Sequence, residues 1–225
     1  MAQMTSPRGV MAMKQCLRYL TACTLSLIST LAVFTYLSAA HGQANDYPRF
    51  IQAGNETRMP SGWVQFCATY VSECATKPTE RRDVALNDKA WKDLVRINKW
   101  ANDNIKPMTD MAHYGVIQWW RYPDDGAGAC HSYALLKRSM LMQAGWPRSA
   151  LLMTVVREAN GEGHAVLTVK TDKGEFILDN LSQKILLWSE TPYLYVKRQS
   201  QADPNVWVSL NDTHQFDAKT ASLRY

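Results

Sequence analysis

The sequence predicts an α+β domain, with helices first and an antiparallel sheet after them. Between Asn87 and Ala144 apolar residues recur at helical spacing. Between Ala150 and Leu210 short runs rich in β-branched and aromatic residues alternate with turn signals. Helices followed by a run of strands indicate helices packed on one sheet, not interleaved with parallel strands.

The domain is preceded by a leader. Residues 1–19 carry Arg8, Lys14 and Arg18 and no acid, residues 20–40 are uncharged and largely apolar, and the run ends in Ser38-Ala39-Ala40. This is the pattern of a signal peptide over 1–40, which makes residues 41–225 one exported domain, periplasmic or secreted. An uncleaved anchor is the alternative, because the apolar run is just long enough to span a bilayer; a membrane is a partner only in that case. Leu20-Thr21-Ala22-Cys23 is similar to a lipidation site, but the apolar run follows the cysteine instead of preceding it, which excludes that reading. The leader also accounts for much of the basic charge. The whole chain has 25 Lys and Arg against 20 Asp and Glu, and without the leader 22 stand against 20. A balance so near neutral gives no sign of a nucleic-acid surface, and no nucleic-acid partner is expected.

Residues from His41 to Arg82 are rich in Gly, Pro, Ser and Thr and read as irregular structure around Cys67 and Cys74. Asn87 or Asp88 caps a helix that runs to about Ile105, with Trp91, Leu94, Val95, Ile97 and Ala101 as its apolar stripe and Pro107 as its stop. A shorter helix is expected over Asp110–Trp120, then a turn at Pro123-Asp124-Asp125-Gly126. A third helix covers Cys130–Ala144 and ends at Gly145 and Pro147. Its apolar residues point almost all round the axis, so it is expected to be largely buried. Strands follow at Ala150–Val156, His164–Lys170, Glu175–Asp179, Ile185–Trp188, Tyr193–Val196 and Val206–Leu210, with turns at Asn160-Gly161 and Thr171–Gly174.

Of the five cysteines, Cys16 and Cys23 lie in the leader. Cys67 and Cys74 stand close together and are expected to pair in an oxidising compartment. Cys130 is then the odd thiol, the pattern that marks a reactive cysteine. It stands where the third helix begins, and the free N–H groups and dipole of a helix start favour a thiolate. Gly126 and Gly128 upstream allow a substrate to approach the backbone. The hairpin supplies the partners. If Thr171 faces Gly174, then Val166 faces Asp179, and His164 shares a face with Val166 because strand side chains alternate. His164 and Asp179 become diagonal neighbours within side-chain reach, whereas a one-residue slip would part them. Cys130, His164 and Asp179 are therefore the candidate catalytic residues: nucleophile, base and orienter.

Several segments in order carry a resemblance: Gly128-x-Cys130-x-x-Tyr133-Ala-Leu-Leu-Lys-Arg, Ala144-Gly-Trp-Pro147, Gly163-His-Ala-Val-Leu167 and Leu178-Asp-Asn180, with Pro60-x-Gly-Trp63, Phe66-Cys67, Thr109-Asp110 and Tyr114-Gly115. Tyr195-Val-Lys-Arg-Gln-Ser200 and Trp207 fit too. From about Met59 to Leu210 the chain resembles the bacterial transglutaminase-like cysteine peptidases. The resemblance implies a papain-like α+β fold, a Cys–His–Asp triad and a protein substrate. One branch, the LapG type, consists of periplasmic proteases that clip surface adhesins, so the substrate implied is a surface or exported protein.

The sequence departs from that family beside the nucleophile. The usual Gly-Asp-Cys-Glu-Asp-Tyr is here Gly128-Ala129-Cys130-His131-Ser132-Tyr133. In the adhesin-clipping branch the flanking acids bind calcium, which wants several hard oxygen ligands. Ala129, His131 and Ser132 do not supply them, so no metal and no cofactor is expected. His131 reads as a surface residue at the helix start, or else as a second local base or positive charge. The same departure leaves a rival function open, a weakly active or inactive periplasmic binding or regulatory protein of the same fold.

Overall fold

A computed structural model of the chain describes residues 48–75, 78 and 80–211. The leader expected over residues 1–40 lies outside the described residues. Nine strands and five helices occur among them: β1 Gln52–Thr57, α1 Ser61–Thr69, α2 Val71–Cys74, α3 Asp88–Asn104, β2 Lys106–Pro107, α4 Asp110–Tyr114, β3 Ala127–Gly128, α5 Cys130–Gln143, β4 Leu151–Arg157, β5 Gly163–Thr171, β6 Gly174–Leu178, β7 Leu186–Leu187, β8 Leu194–Gln199 and β9 Trp207–Asn211. Seven strands make one antiparallel sheet in the order β1-β9-β8-β4-β5-β6-β7, and β2 and β3 pair in parallel beside it. The α+β class read from the sequence is the class observed.

The central strand β5 is buried on both faces, and its alternation divides the core. Ala165, Leu167 and Val169 join a cluster with Trp63 and Phe66 of α1, Leu94 and Ile97 of α3 and Leu135 and Leu141 of α5. Val166 belongs to a second cluster with Val156, Ile177, Trp188, Tyr193 and Tyr195. Each fully buried large apolar side chain contributes about 1.5–3 kcal/mol. This sandwiching holds α5 against β5 and so sets the distance between the head of α5 and the start of β5.

The capped helix is found as expected: Asn87 accepts the Ala90 N–H in α3 at 2.9 Å. Its buried face is Ala90, Leu94, Ile97, Asn98 and Ala101, however, and Trp91 and Val95 are 38% and 43% exposed. Asn98 takes a place in the buried face because its amide donates to the Gln183 carbonyl at 3.2 Å. The expected helix over Asp110–Trp120 stops at Tyr114, because Gly115 turns the backbone left-handed at φ +72°.

The segment read as irregular holds β1, α1 and α2 instead. The strand β1 was hidden because it is an exposed edge with no apolar alternation. The glycine and proline in Pro60-Ser61-Gly62 mark a helix start, not a loop. A Cβ on Gly62 would lie 2.2 Å from the Trp120 ring, so only glycine lets α1 approach that indole. In the sheet, β4 begins at Leu151 because Arg148–Ala150 forms a 3₁₀ turn, and β7 is only Leu186–Leu187. The hairpin register is as expected: Thr171 faces Gly174 and Leu167 faces Leu178.

Cys67 and Cys74 form a disulfide with Cα atoms 5.5 Å apart, which ties α1 to α2. Closing a loop of this length restricts the unfolded chain by about 2 kcal/mol. Cys67→Ser with Cys74→Ser should lower the unfolding free energy by about that amount. Urea denaturation of the oxidised protein and the double variant checks this, with the slope of the transition expected to change little.

Candidate active site

Cys130 is the first residue of α5, at a helix start whose preceding residue, Ala129, makes no side-chain cap. The Ser132 N–H turns back to the Ala129 carbonyl at 2.9 Å, so the N–H groups ahead of it, those of Cys130 and His131, are the ones that face whatever negative charge stands before the helix. Cys130 is half-buried and is the free cysteine among the described residues. His164 enters from the start of β5 and is buried. Its Nε2–H donates to Asp179 Oδ1 at 2.8 Å, which leaves Nδ1 as the nitrogen available to the thiol. The structure thus brings together Cys130, His164 and Asp179.

Asp179 stands one residue beyond β6, where the ladder with β5 has ended. Its surroundings compensate for lost water. Oδ1 also accepts the Leu181 N–H at 3.1 Å, and Oδ2 accepts the Tyr193 hydroxyl. Its backbone carbonyl accepts Lys137 Nζ from α5 at 2.9 Å and Asn102 Nδ2 from α3 at 2.9 Å. Burial alone would raise the Asp179 carboxyl, but the bonds from His164 and Tyr193 outweigh it and hold the carboxyl below its ordinary value.

The thiol shows the same competition. Burial pushes Cys130 up, and hydrogen bonding from His131 and His164 brings it down to about 6. Burial likewise lowers His164, but the Asp179 and Cys130 bonds raise it to about 10. Both shifts favour a thiolate beside an imidazolium.

His131 is not at the surface. It is 3% exposed and lies 3.4 Å by Nε2 from Asp110 Oδ1, with its ring stacked on Trp120 at 5.4 Å. Trp120 gives the ring an apolar bed, and Asp110 draws it inward. Sequence reading noted Asp110, Lys137 and Tyr193 without a role at the site, and passed over Asn102. Adjacency to Cys130 was the one available signal for His131; the others meet the site through tertiary contacts alone.

The side chains around the nucleophile do not suit calcium. Ala129 has no donor atom, and Ser132 is a buried neutral hydroxyl. The Asp110 carboxylate is already engaged by His131 and by the Trp119 N–H at 2.7 Å. Asp124 and Asp125 form the expected turn, and Asp125 pairs with His113 at 2.9 Å.

The profile of a family described as bacterial transglutaminase-like cysteine proteinase, BTLCP, matches residues 53–215. The chain belongs to that family. Among solved structures, calcium-bound Legionella pneumophila LapG is 20% identical over 74% of this chain and 93% of its own, with a TM-score of 0.47. A second structure of Legionella pneumophila LapG is 22% identical over 73% of this chain and 86% of its own, with a TM-score of 0.45. No curated protein matches the chain. Membership makes this transglutaminase-like protein a cysteine peptidase by family. No helix among the described residues is long and apolar enough to cross a membrane.

Burial lowers Lys137 to about 7, against the pull of Asp179. Its amine therefore binds fewer protons folded than unfolded between about pH 7 and about pH 10, and stability from this group rises with pH across that window. Lys137→Met lacks this dependence. Thermal melts from pH 6 to 10 should show the wild type gaining on the variant above about pH 7. An offset that stays constant across the range would contradict the burial of a titrating amine.

Proposed function

We propose that this protein is an exported thiol peptidase that cleaves a protein substrate by acyl transfer. The observation that carries the reading is the His164–Asp179 hydrogen bond of 2.8 Å, with the thiol of Cys130 under the influence of the same imidazole. In this reading the Cys130 thiolate attacks the scissile carbonyl carbon and forms a tetrahedral oxyanion. The backbone N–H of Cys130, at the uncapped helix start, stabilises that oxyanion. His164 then gives its Nδ1 proton to the leaving amine, and the C–N bond breaks to leave a thioester on Cys130. His164, now neutral, takes a proton from water; the hydroxide attacks the thioester, and the free acid and the thiolate–imidazolium pair are restored. Asp179 keeps the imidazole in place through Nε2 and stays ionised throughout.

Residues 41–225 form the peptidase domain, and 1–40 serve as its export signal, which places the activity in the periplasm or outside the cell. The substrate class is a surface or exported protein. No step needs a metal, and cleavage should persist in excess chelator.

The test is to incubate the purified protein with the exported proteins of its own host. Wild type should cut at least one of them and Cys130→Ala none. Asp179→Asn should lower turnover on the order of 10²-fold while the thiol still alkylates, because the proton relay needs a held imidazole. An uncut set of host proteins, together with a Cys130 that alkylates like a free cysteine, would support a binding protein of the same fold.

A further inference from the structure

We infer that His131 is a second protonated imidazole at the nucleophile, which shares with His164 the task of holding Cys130 as a thiolate, with Asp110 as its counter-charge. The inference rests on the reading of Cys130 as the nucleophile, and it goes beyond the triad.

The geometry fixes one proton directly. His131 Nε2 is 3.1 Å from the Trp119 carbonyl oxygen, which only accepts, so Nε2 must carry hydrogen. The second proton follows from the carboxylate. Asp110 and His131 side chains are each 4% exposed, and Asp110 Oδ1 has no hydrogen-bond partner. Among the described residues its ion-pair partner is the His131 ring, 3.4 Å away. If that ring lost its Nδ1 proton, a buried carboxylate would be left without its counter-charge, which the low-dielectric interior disfavours. The indole of Trp120 adds to this. It lies parallel to the imidazole within 5°, at 5.4 Å, and the face of an indole favours a cation.

Among the described residues the charged groups that act on the ring are Asp110 from α4 and Cys130 from its own helix, and the thiol is shared with His164 from β5, which Asp179 holds. The ring bears on the Cys130 thiol as a hydrogen-bonding and charge partner, and the same contacts raise His131 to about 9 against its burial. One negative charge on sulfur is thus faced by two imidazolium rings, each backed by its own carboxylate. The division of labour follows from their second bonds. His164 is held by a carboxylate at 2.8 Å and serves as the proton carrier, whereas His131 is pinned by a carbonyl, a carboxylate and an indole and serves as a fixed charge.

Iodoacetamide alkylation of Cys130 against pH reads the thiolate directly. The wild-type rate should rise with a midpoint near pH 6. In His131→Gln the midpoint should move up by about one unit or more, so the rate at pH 6 falls by about fivefold or more, while the limiting rate at high pH is kept within a few-fold. Asp110→Asn should move the midpoint in the same direction. An unchanged midpoint in a folded His131→Gln protein, judged by near-ultraviolet circular dichroism, would overturn the inference and leave the triad standing. A wild-type midpoint near 8.5 would instead count against Cys130 as an activated nucleophile. Should the variants fail to fold, ring-nitrogen NMR decides the matter in the protein carrying only His113→Gln, which removes the ring that pairs with Asp125. At pH 8 two histidines should remain doubly protonated; one or none would overturn the inference.

Discussion

An ionised carboxylate cut off from water survives only where hydrogen bonds stand in for the solvent, and Asp179 is in that position. Its two oxygens take bonds from His164, Leu181 and Tyr193, and its own carbonyl takes two more from Lys137 and Asn102. These donors come from β5, the segment before β8, α5 and α3. The need to satisfy one residue thus ties the sheet to two helices at the place where β6 ends. If any of those elements shifted, a buried charge would be exposed to an unfavourable medium, which gives the whole assembly a reason to close in one arrangement.

Much of this was legible in the sequence because it obeys local rules. The pairing of β5 with β6 follows from a two-residue turn and a period of two, and that pattern alone puts His164 and Asp179 within reach of one another. The start of α5 at Cys130 was readable from the two glycines upstream and the apolar run downstream. What was not legible depends on contacts with no local pattern. The strand β1 is an exposed edge, so burial never imposed alternation on it. His131 stands at a polar-looking helix start, and the placement of Trp120 and of Asp110, the first residue of α4, makes it interior.

The interior of α5 carries the same lesson in a different form. Lys137 and Arg138 have almost no exposure, although both side chains are cationic. Lys137 is retained by the Asp179 carbonyl. Arg138 is retained by Glu73, next to the disulfide, while Arg148 uses the same carboxylate from outside. Such buried cations are weak sources of net stability, since removing them from water costs as much as the pairing returns. Their effect is on uniqueness: α5 can rotate neither way without stranding one charge.

The two ends of the sheet have a consequence for a protein that handles other polypeptides. An extended chain offered to an exposed, flat sheet edge joins it as another strand, and association of this kind grows into aggregates. Here one edge, β1, is polar and breaks its register against β9 between Ala53 and Glu56. The opposite edge, β7, is two residues long. Neither is a template long or regular enough to capture a strand. A loosely folded polypeptide can meet this molecule repeatedly and leave again without being recruited into its sheet.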